Sequence, residues 1–212
     1  MLSITIPETV QRDSFFDEMK TLILNGVESF EFKVSRSMEN HLKISMNYLQ
    51  PIYLNDVLGY IVRQQLSVQL VLNFMELHLE VFAISIVDKW GLEEKVRYAG
   101  NMMPTYLSLW NRRHVYYDVT NCLPNYYHLG EIKRAHFDVI HYFLRKNKVS
   151  ILRLHESGVT DDIIYWMVEN ELTLSVYGVE SHEMVDNLLK KGIDHISTSA
   201  IYPQGASFQK VN

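Results

Sequence analysis

Short apolar runs of strand length alternate with amphipathic helical stripes along nearly the whole chain, and this alternation constrains the fold more than any other feature. Strand candidates centre near residues 3, 30, 70, 97, 117, 152, 175 and 196. Between them, Phe15, Phe16, Met19, Leu22 and Ile23 share one helical face, as do Val57, Leu58, Ile61 and Val62. A longer helix is expected from about Glu76 to Trp90, a short one near 106–111, and a stripe runs through Ile132, His136, Val139, Ile140, Phe143 and Leu144. Strands joined by helical crossovers run parallel. Ser67 to Phe74 is rich in Val and Leu without polar alternation, as in a strand buried on both faces. Asp13 or Ser14 is expected to cap the first helix, and Asn55 or Asp56 to begin the second. Thr160 and Ser181 are expected to cap the last two, with Gly192 just past the final helix. Eight such units in 212 residues predict a compact α/β (β/α)8 TIM barrel, with a doubly wound open sheet as the alternative. Residues 1–203 read as one barrel domain and 204–212 as a polar tail.

Charge and composition remove several functions. Twenty Lys and Arg against twenty-five Asp and Glu give a net charge of -5, too little basic excess for nucleic acid to be the main partner. The single cysteine, Cys122, allows no intrachain disulfide and no thiolate zinc site, and it suits a reducing compartment. The first residues lack the basic and apolar regions of a signal peptide. The longest apolar stretch, around Leu77 to Val87, is broken by His78 and Glu80, whereas a spanning helix needs about 20 apolar residues. The expectation is a soluble cytoplasmic protein with no membrane span. No Gly-x-Gly-x-x-Gly, Walker loop, nucleophile-elbow serine or His-Glu-x-x-His occurs in the chain.

In a barrel, ligand sites form where the C-terminal ends of the strands face a common mouth. Those ends carry Glu31, Lys33, Asn73, Asp118, Arg153, His155 and Tyr177. Residues two apart on a strand point to the same side, so Glu31 shares a face with Lys33, and Arg153 with His155. If all face inward, Lys33, Arg153 and His155 line an anion pocket with Glu31 and Asp118 as countercharges. Arginine offers a planar fork for phosphate and His155 a titratable donor. The competing reading is a structural cluster in which Lys33 simply neutralises Glu31. His136 and His141 do not share a helical face at ligand spacing, and His41, His78, His114, His128, His182 and His195 have no partner spacing. Surface or packing roles are expected for His136 and His141, no ligand role for the other six, and burial for Cys122. Tyr106, Trp110, Tyr116, Tyr117, Tyr126 and Tyr127 form a dense aromatic group, expected to pack loops and interfaces more than to stack on a sugar.

Two segments carry a resemblance to a known family. Phe15 to Met46, with Gly26-Val27-Glu28-Ser29-Phe30-Glu31-Phe32-Lys33-Val34, resembles the opening helix, Glu-x-Asp strand and short hairpin of the glycerophosphodiester phosphodiesterases. Val176-Tyr177-Gly178-Val179-Glu180-Ser181, the helix after it and Gly192-Ile193-Asp194-His195-Ile196-Ser197-Thr198-Ser199 resemble that family's closing units. The resemblance implies a TIM barrel that cleaves glycerophosphodiesters with a carboxylate-bound divalent cation and a pair of acid/base histidines. Glu31 stands at the first metal carboxylate and Lys33 at the second. The two histidine positions fall near Ile6-Pro7-Glu8-Thr9 and Ser45-Met46-Asn47, and the third-strand glutamate aligns with Leu72 or Asn73. The implied ligand set is therefore incomplete, and no metal or other cofactor is expected. The function expected is a divergent relative without metal-dependent hydrolysis that binds an anionic or phosphorylated polyol or serves as an interaction partner. The alternatives are an active phosphoric diester hydrolase with an altered site, Glu31 and His155 catalytic and Lys33, Asp118, Arg153 and Tyr177 holding ligand, or a different barrel enzyme with His155 as general acid/base. A second copy of the chain is an open partner.

Overall fold

The computed structural model describes residues 1–4, 12–44, 51–102, 115–121, 123, 132–193 and 195–200. Ten strands are found among them: β1 (Leu2–Ile4), β2 (Ser29–Arg36), β3 (Leu42–Ile44), β4 (Ile52–Tyr53), β5 (Gln69–Phe74), β6 (Val96–Gly100), β7 (Tyr117–Asp118), β8 (Ile151–His155), β9 (Thr173–Val179) and β10 (His195–Thr198). Six α-helices join them: α1 (Arg12–Leu24), α2 (Leu54–Arg63), α3 (Leu79–Trp90), α4 (Phe137–Lys146), α5 (Asp161–Glu169) and α6 (His182–Lys190).

Eight parallel strands close into a ring. β1 pairs with β2 and β10, β2 with β5, β5 with β6, β7 with β8, β8 with β9, and β9 with β10. Among the described residues the ring is joined between β6 and β7 by a single bridge, Tyr98 to Val115, and the Tyr116 N–H donates to the Tyr98 carbonyl at 2.8 Å. β3 and β4 stand outside the ring as an antiparallel extension of β2. The (β/α)8 barrel expected from the alternation is therefore the fold, and the open sheet is not.

The strand alternation divides the side chains into two sets. Outward Phe30, Phe32, Val34, Leu70, Leu72 and Phe74 pack with Phe15, Met19, Val57, Leu58, Ile61 and Ile84. On the opposite wall, Leu152, Leu154, Leu174, Val176 and Ile196 pack with Ile140, Leu144, Ile163, Met167, Val185 and Leu188. The interior holds a small apolar plug of Val71, Ala99 and Tyr116, with Met1 and Ile151 against it. Buried with it in the barrel wall are the polar residues Ser3, Ser29, Glu31, Arg153, Ser175 and Ser197.

Local signals placed the later helices well. Thr160 Oγ1 accepts from the Ile163 N–H at 3.3 Å and Ser181 Oγ from the Met184 N–H at 3.2 Å, each satisfying a donor that the helix cannot. Gly192 follows α6 at φ 81°, a left-handed position that favours glycine. Helix starts elsewhere differ from expectation. α1 already includes Arg12, so Asp13 and Ser14 lie in its first turn, where acidic and small polar residues still suit the helix dipole. α2 begins at Leu54, and Asn55 accepts from the Trp90 indole N–H at 3.0 Å instead of initiating the helix. α3 begins at Leu79 because His78 adopts φ 68°, outside the helical region. The helix expected near 106–111 lies outside the described residues, as do residues 204–212.

Replacing either cap, Thr160→Ala or Ser181→Ala, is expected to lower stability by about 1 kcal/mol. Urea unfolding followed by circular dichroism checks this, with no change in the slope of the transition.

Candidate functional site

Glu31 and Arg153 face each other across the barrel. β2 and β8 are opposite members of the ring, and Arg153 Nη2 donates to Glu31 Oε1 at 2.7 Å. Only a long side chain spans that distance, and the planar guanidinium meets the carboxylate end-on. Both residues are buried, Arg153 completely. Asn73, on β5 beside β2, donates its Nδ2–H to the same Glu31 oxygen at 2.7 Å. Burial alone pushes the Glu31 carboxyl up, but the Arg153 charge and donation from Ser197, Arg153 and Asn73 hold it below its ordinary value. Burial likewise works against the Arg153 cation, and the charge and hydrogen bond of Glu31, with Asp118 and Tyr177, more than offset it.

Asp118 pairs with Arg153 in register across β7 and β8. Its Oδ1 accepts from the Thr120 N–H at 3.0 Å and the Thr120 hydroxyl at 2.7 Å, which opens the 3-10 turn Val119–Asn121. Tyr177, on β9, lays its ring over the Arg153 guanidinium at 4.7 Å, a cation–π contact. The His155 ring meets Tyr177 edge-on at 5.3 Å. His155 Nδ1 accepts from the Ser157 N–H at 3.3 Å and lies 2.9 Å from the Ser157 hydroxyl, so this nitrogen caps the following turn. Its other face lies on Gly178, at φ 79°, where any Cβ would collide with the imidazole. Lys33 is exposed at the end of β2, opposite Asn73 on β5.

Five of the six expected site residues therefore belong to one linked group: Glu31, Asp118, Arg153, His155 and Tyr177. Lys33 stands apart from the ion pair, and Arg153 takes the place as partner of Glu31 that the sequence left to Lys33. Several of the described histidines have packing or capping contacts. His136 Nδ1 accepts from the Lys133 N–H at 3.1 Å, His141 packs on Trp166, and His41 on Tyr53. His195 Nδ1 lies 3.1 Å from the buried Tyr116 hydroxyl inside the barrel. Tyr117 packs in the outer core. His114, His128, Cys122, Tyr106, Trp110, Tyr126 and Tyr127 lie outside the described residues, and so do Ile6 to Thr9 and Ser45 to Asn47. Sequence reasoning missed Ser197 beside Glu31 and the bonded hydroxyls of Ser3 and Ser29 at 2.8 Å. The signal available was a small polar residue recurring at inward positions of β1, β2, β9 and β10.

The barrel superimposes on solved structures along almost its whole length. A Galdieria sulphuraria protein assigned as a glycerophosphodiester phosphodiesterase matches with a TM-score of 0.71 at 10% identity, covering 94% of each chain. The Parabacteroides distasonis glycerophosphodiester phosphodiesterase matches with 0.68 at 13% identity, covering 93% of this chain and 92% of that one. An Oleispira antarctica phosphodiesterase in complex with the product sn-glycerol-3-phosphate matches with 0.64 at 12% identity, covering 96% and 94%. The fold is that of the glycerophosphodiester phosphodiesterases. No protein-family model matches the sequence, and no curated protein matches it.

The divalent cation that the sequence resemblance implies meets an incomplete set of carboxylates among the described residues. Glu31 Oε1 is bonded to Arg153 and Asn73 while Oε2 has no hydrogen-bond partner, the resemblance puts Lys33 at the second carboxylate position, and the neighbouring strand offers the amide of Asn73. Among the described residues no group of three or more His, Cys, Asp or Glu gathers to hold a metal ion. A cation at Glu31 would share the carboxylate with the Arg153 guanidinium, whose positive charge opposes it.

Removing one member of the pair, as in Arg153→Met, is expected to cost about 3–5 kcal/mol by stranding a buried carboxylate. Glu31→Leu/Arg153→Met is expected to recover most of that loss in the same urea titration. Because the folded Glu31 carboxyl titrates below its unfolded value of about 4.3, its contribution is complete above that pH and is lost as pH falls further. Thermal unfolding between pH 6 and pH 3 is expected to show a steeper loss for the native chain than for the double variant.

Proposed function

We propose that the chain binds a small phosphorylated polyol at the C-terminal mouth of its barrel and does not hydrolyse phosphodiesters with a divalent cation. The observation that carries this reading is the internal neutralisation of Glu31 by Arg153 and Asn73, each at 2.7 Å. A carboxylate bonded in this way has little charge left to attract a cation, and Lys33 two residues further on repels one. The same arrangement favours an anion. Lys33 presents an exposed ammonium at the end of β2, suited to phosphate as a mobile point charge. Beneath it, Nε and Nη1 of Arg153 are buried donors without a protein partner, a condition that bound oxygen atoms relieve.

In this reading Lys33 makes the first contact with the ligand, and Arg153 offers its unpartnered N–H groups from within the barrel. Asp118 and Glu31 keep the guanidinium in place, while Tyr177 covers its face. His155, anchored through Nδ1 to the Ser157 N–H, bounds the site next to Tyr177. The Oleispira antarctica relative, in complex with sn-glycerol-3-phosphate, supports the choice of ligand class. The single cysteine is consistent with a cytoplasmic setting, and among the described residues no helix is long and apolar enough to cross a membrane.

Calorimetric titration with sn-glycerol 3-phosphate in EDTA is expected to show binding that Lys33→Glu weakens about tenfold, equivalent to ~1.4 kcal/mol. Release of glycerol 3-phosphate from glycerophosphocholine is expected to stay at background with Mg2+, Ca2+ or EDTA. Turnover that requires the metal overturns the reading.

A further inference from the structure

Asn25 and Gly26 form the turn that ends α1 and leads into β2, and no other asparagine in the chain precedes a glycine. Both residues are exposed. Gly26 takes φ 91°, the left-handed position past a helix end, and a Cβ built there would meet nothing within 4 Å. The approach to the Gly26 amide is therefore open, because glycine has no side chain and no neighbour closes over it. Among the described residues no hydrogen bond reaches the Asn25 carboxamide. Other asparagines are held. Asn73, Asn101, Asn121, Asn147 and Asn170 each donate from Nδ2 to a protein oxygen. Asn40 is exposed, but the side chain of His41 crowds the amide that follows it. The Gly26 N–H donates to the Ile23 carbonyl and the Val27 N–H to the Leu22 carbonyl, each at 3.0 Å. Bonds at an exposed helix end open at small free-energy cost.

We propose that Asn25 is a modification site that converts spontaneously, within the native turn, to aspartyl and isoaspartyl forms. When the Gly26 N–H leaves the Ile23 carbonyl, the deprotonated Gly26 nitrogen attacks Cγ of Asn25. A Cγ–N bond forms, the Cγ–Nδ2 bond breaks, and the amide nitrogen takes up a proton and leaves as ammonia. Water then opens the cyclic imide. Addition at Cγ restores the ordinary backbone with an aspartyl side chain. Addition at the main-chain carbonyl carbon leaves the chain running through Cβ and Cγ. Either product places a new carboxylate at the negative end of the α1 dipole, and the last turn of α1 has no basic residue to offset it. The isoaspartyl form also lengthens the main chain by one carbon just before β2, where the Ser29 hydroxyl bonds that of Ser3 at 2.8 Å. The link between α1 and the barrel wall is thus the first to loosen as the molecule ages.

The test ages the full chain in mildly alkaline buffer beside a synthetic peptide of residues 22–28. Mass spectrometry of proteolytic fragments is expected to find amide loss at Asn25 ahead of every other asparagine. An isoaspartyl carboxyl methyltransferase with S-adenosylmethionine is expected to methylate the aged chain and not the fresh one. The native chain is expected to react about tenfold more slowly than the peptide, as one local opening of low cost implies. The aged chain is expected to unfold about 3 °C lower. Asn25→Gln is expected to abolish both the methylation and the loss of Tm, and Asn25→Ser serves if the first variant does not fold. Conversion that begins only when urea unfolds the chain overturns a reaction in the native turn. Faster amide loss at another asparagine overturns the assignment, as does methylation that persists in both variants. Full conversion at an unchanged Tm overturns the loosening of α1.

Discussion

The Glu31–Arg153 pair ties opposite walls of the barrel together, and the polar interior is organised around it. An unpaired charge in that position would be costly, so each partner makes the other tolerable. The surrounding groups follow from the same requirement. Asn73 supplies a second donor to the carboxylate, Asp118 adds negative charge beside the guanidinium, and Tyr177 covers its face. A barrel interior is ordinarily filled by layers of branched apolar side chains. Here the apolar plug is small and the charge pair fills part of the space those layers would occupy.

On the function proposed above, this pairing is what would set the chemistry of the barrel apart on an unchanged backbone. A divalent cation and a guanidinium both balance a buried carboxylate, but they leave different surfaces. The metal presents open coordination positions to a substrate, whereas Arg153 presents N–H groups and a flat face already covered by an aromatic ring. The backbone is shared with those neighbours at 10–13% identity, and a shared backbone does not fix the chemistry at the strand ends.

Much of this was legible in the chain because the governing interactions are local. The order of strands and helices follows from periodicity, and Thr160 and Ser181 act on N–H groups three residues away. Strand register likewise points Arg153 and Glu31 to the interior. Their mutual contact is another matter. They lie 122 residues apart and meet only because the ring closes, so its diameter decides the partner and not the sequence spacing. Proximity along β2 suggested Lys33 instead, but adjacent inward positions on one strand are stacked toward the mouth, and the outer one reaches solvent. The start of α3 was misplaced for a different reason: nothing in the composition of Glu76 to His78 signals the left-handed backbone at His78.

The ring is not equally secured around its circumference. Among the described residues β2 and β5 pair over six consecutive residues and β8 and β9 over five, whereas β1 meets β2 at one register pair and β6 meets β7 through one bridge and the Tyr116 amide. Free energies of local opening track the number of bonds that must break together. By that criterion the join at Tyr98 and Val115 is, among the described residues, one of the two places where local opening breaks the fewest bonds. Exchange of the Tyr116 amide with solvent would report that motion, while the amides of β5 and β9 would report unfolding of the whole.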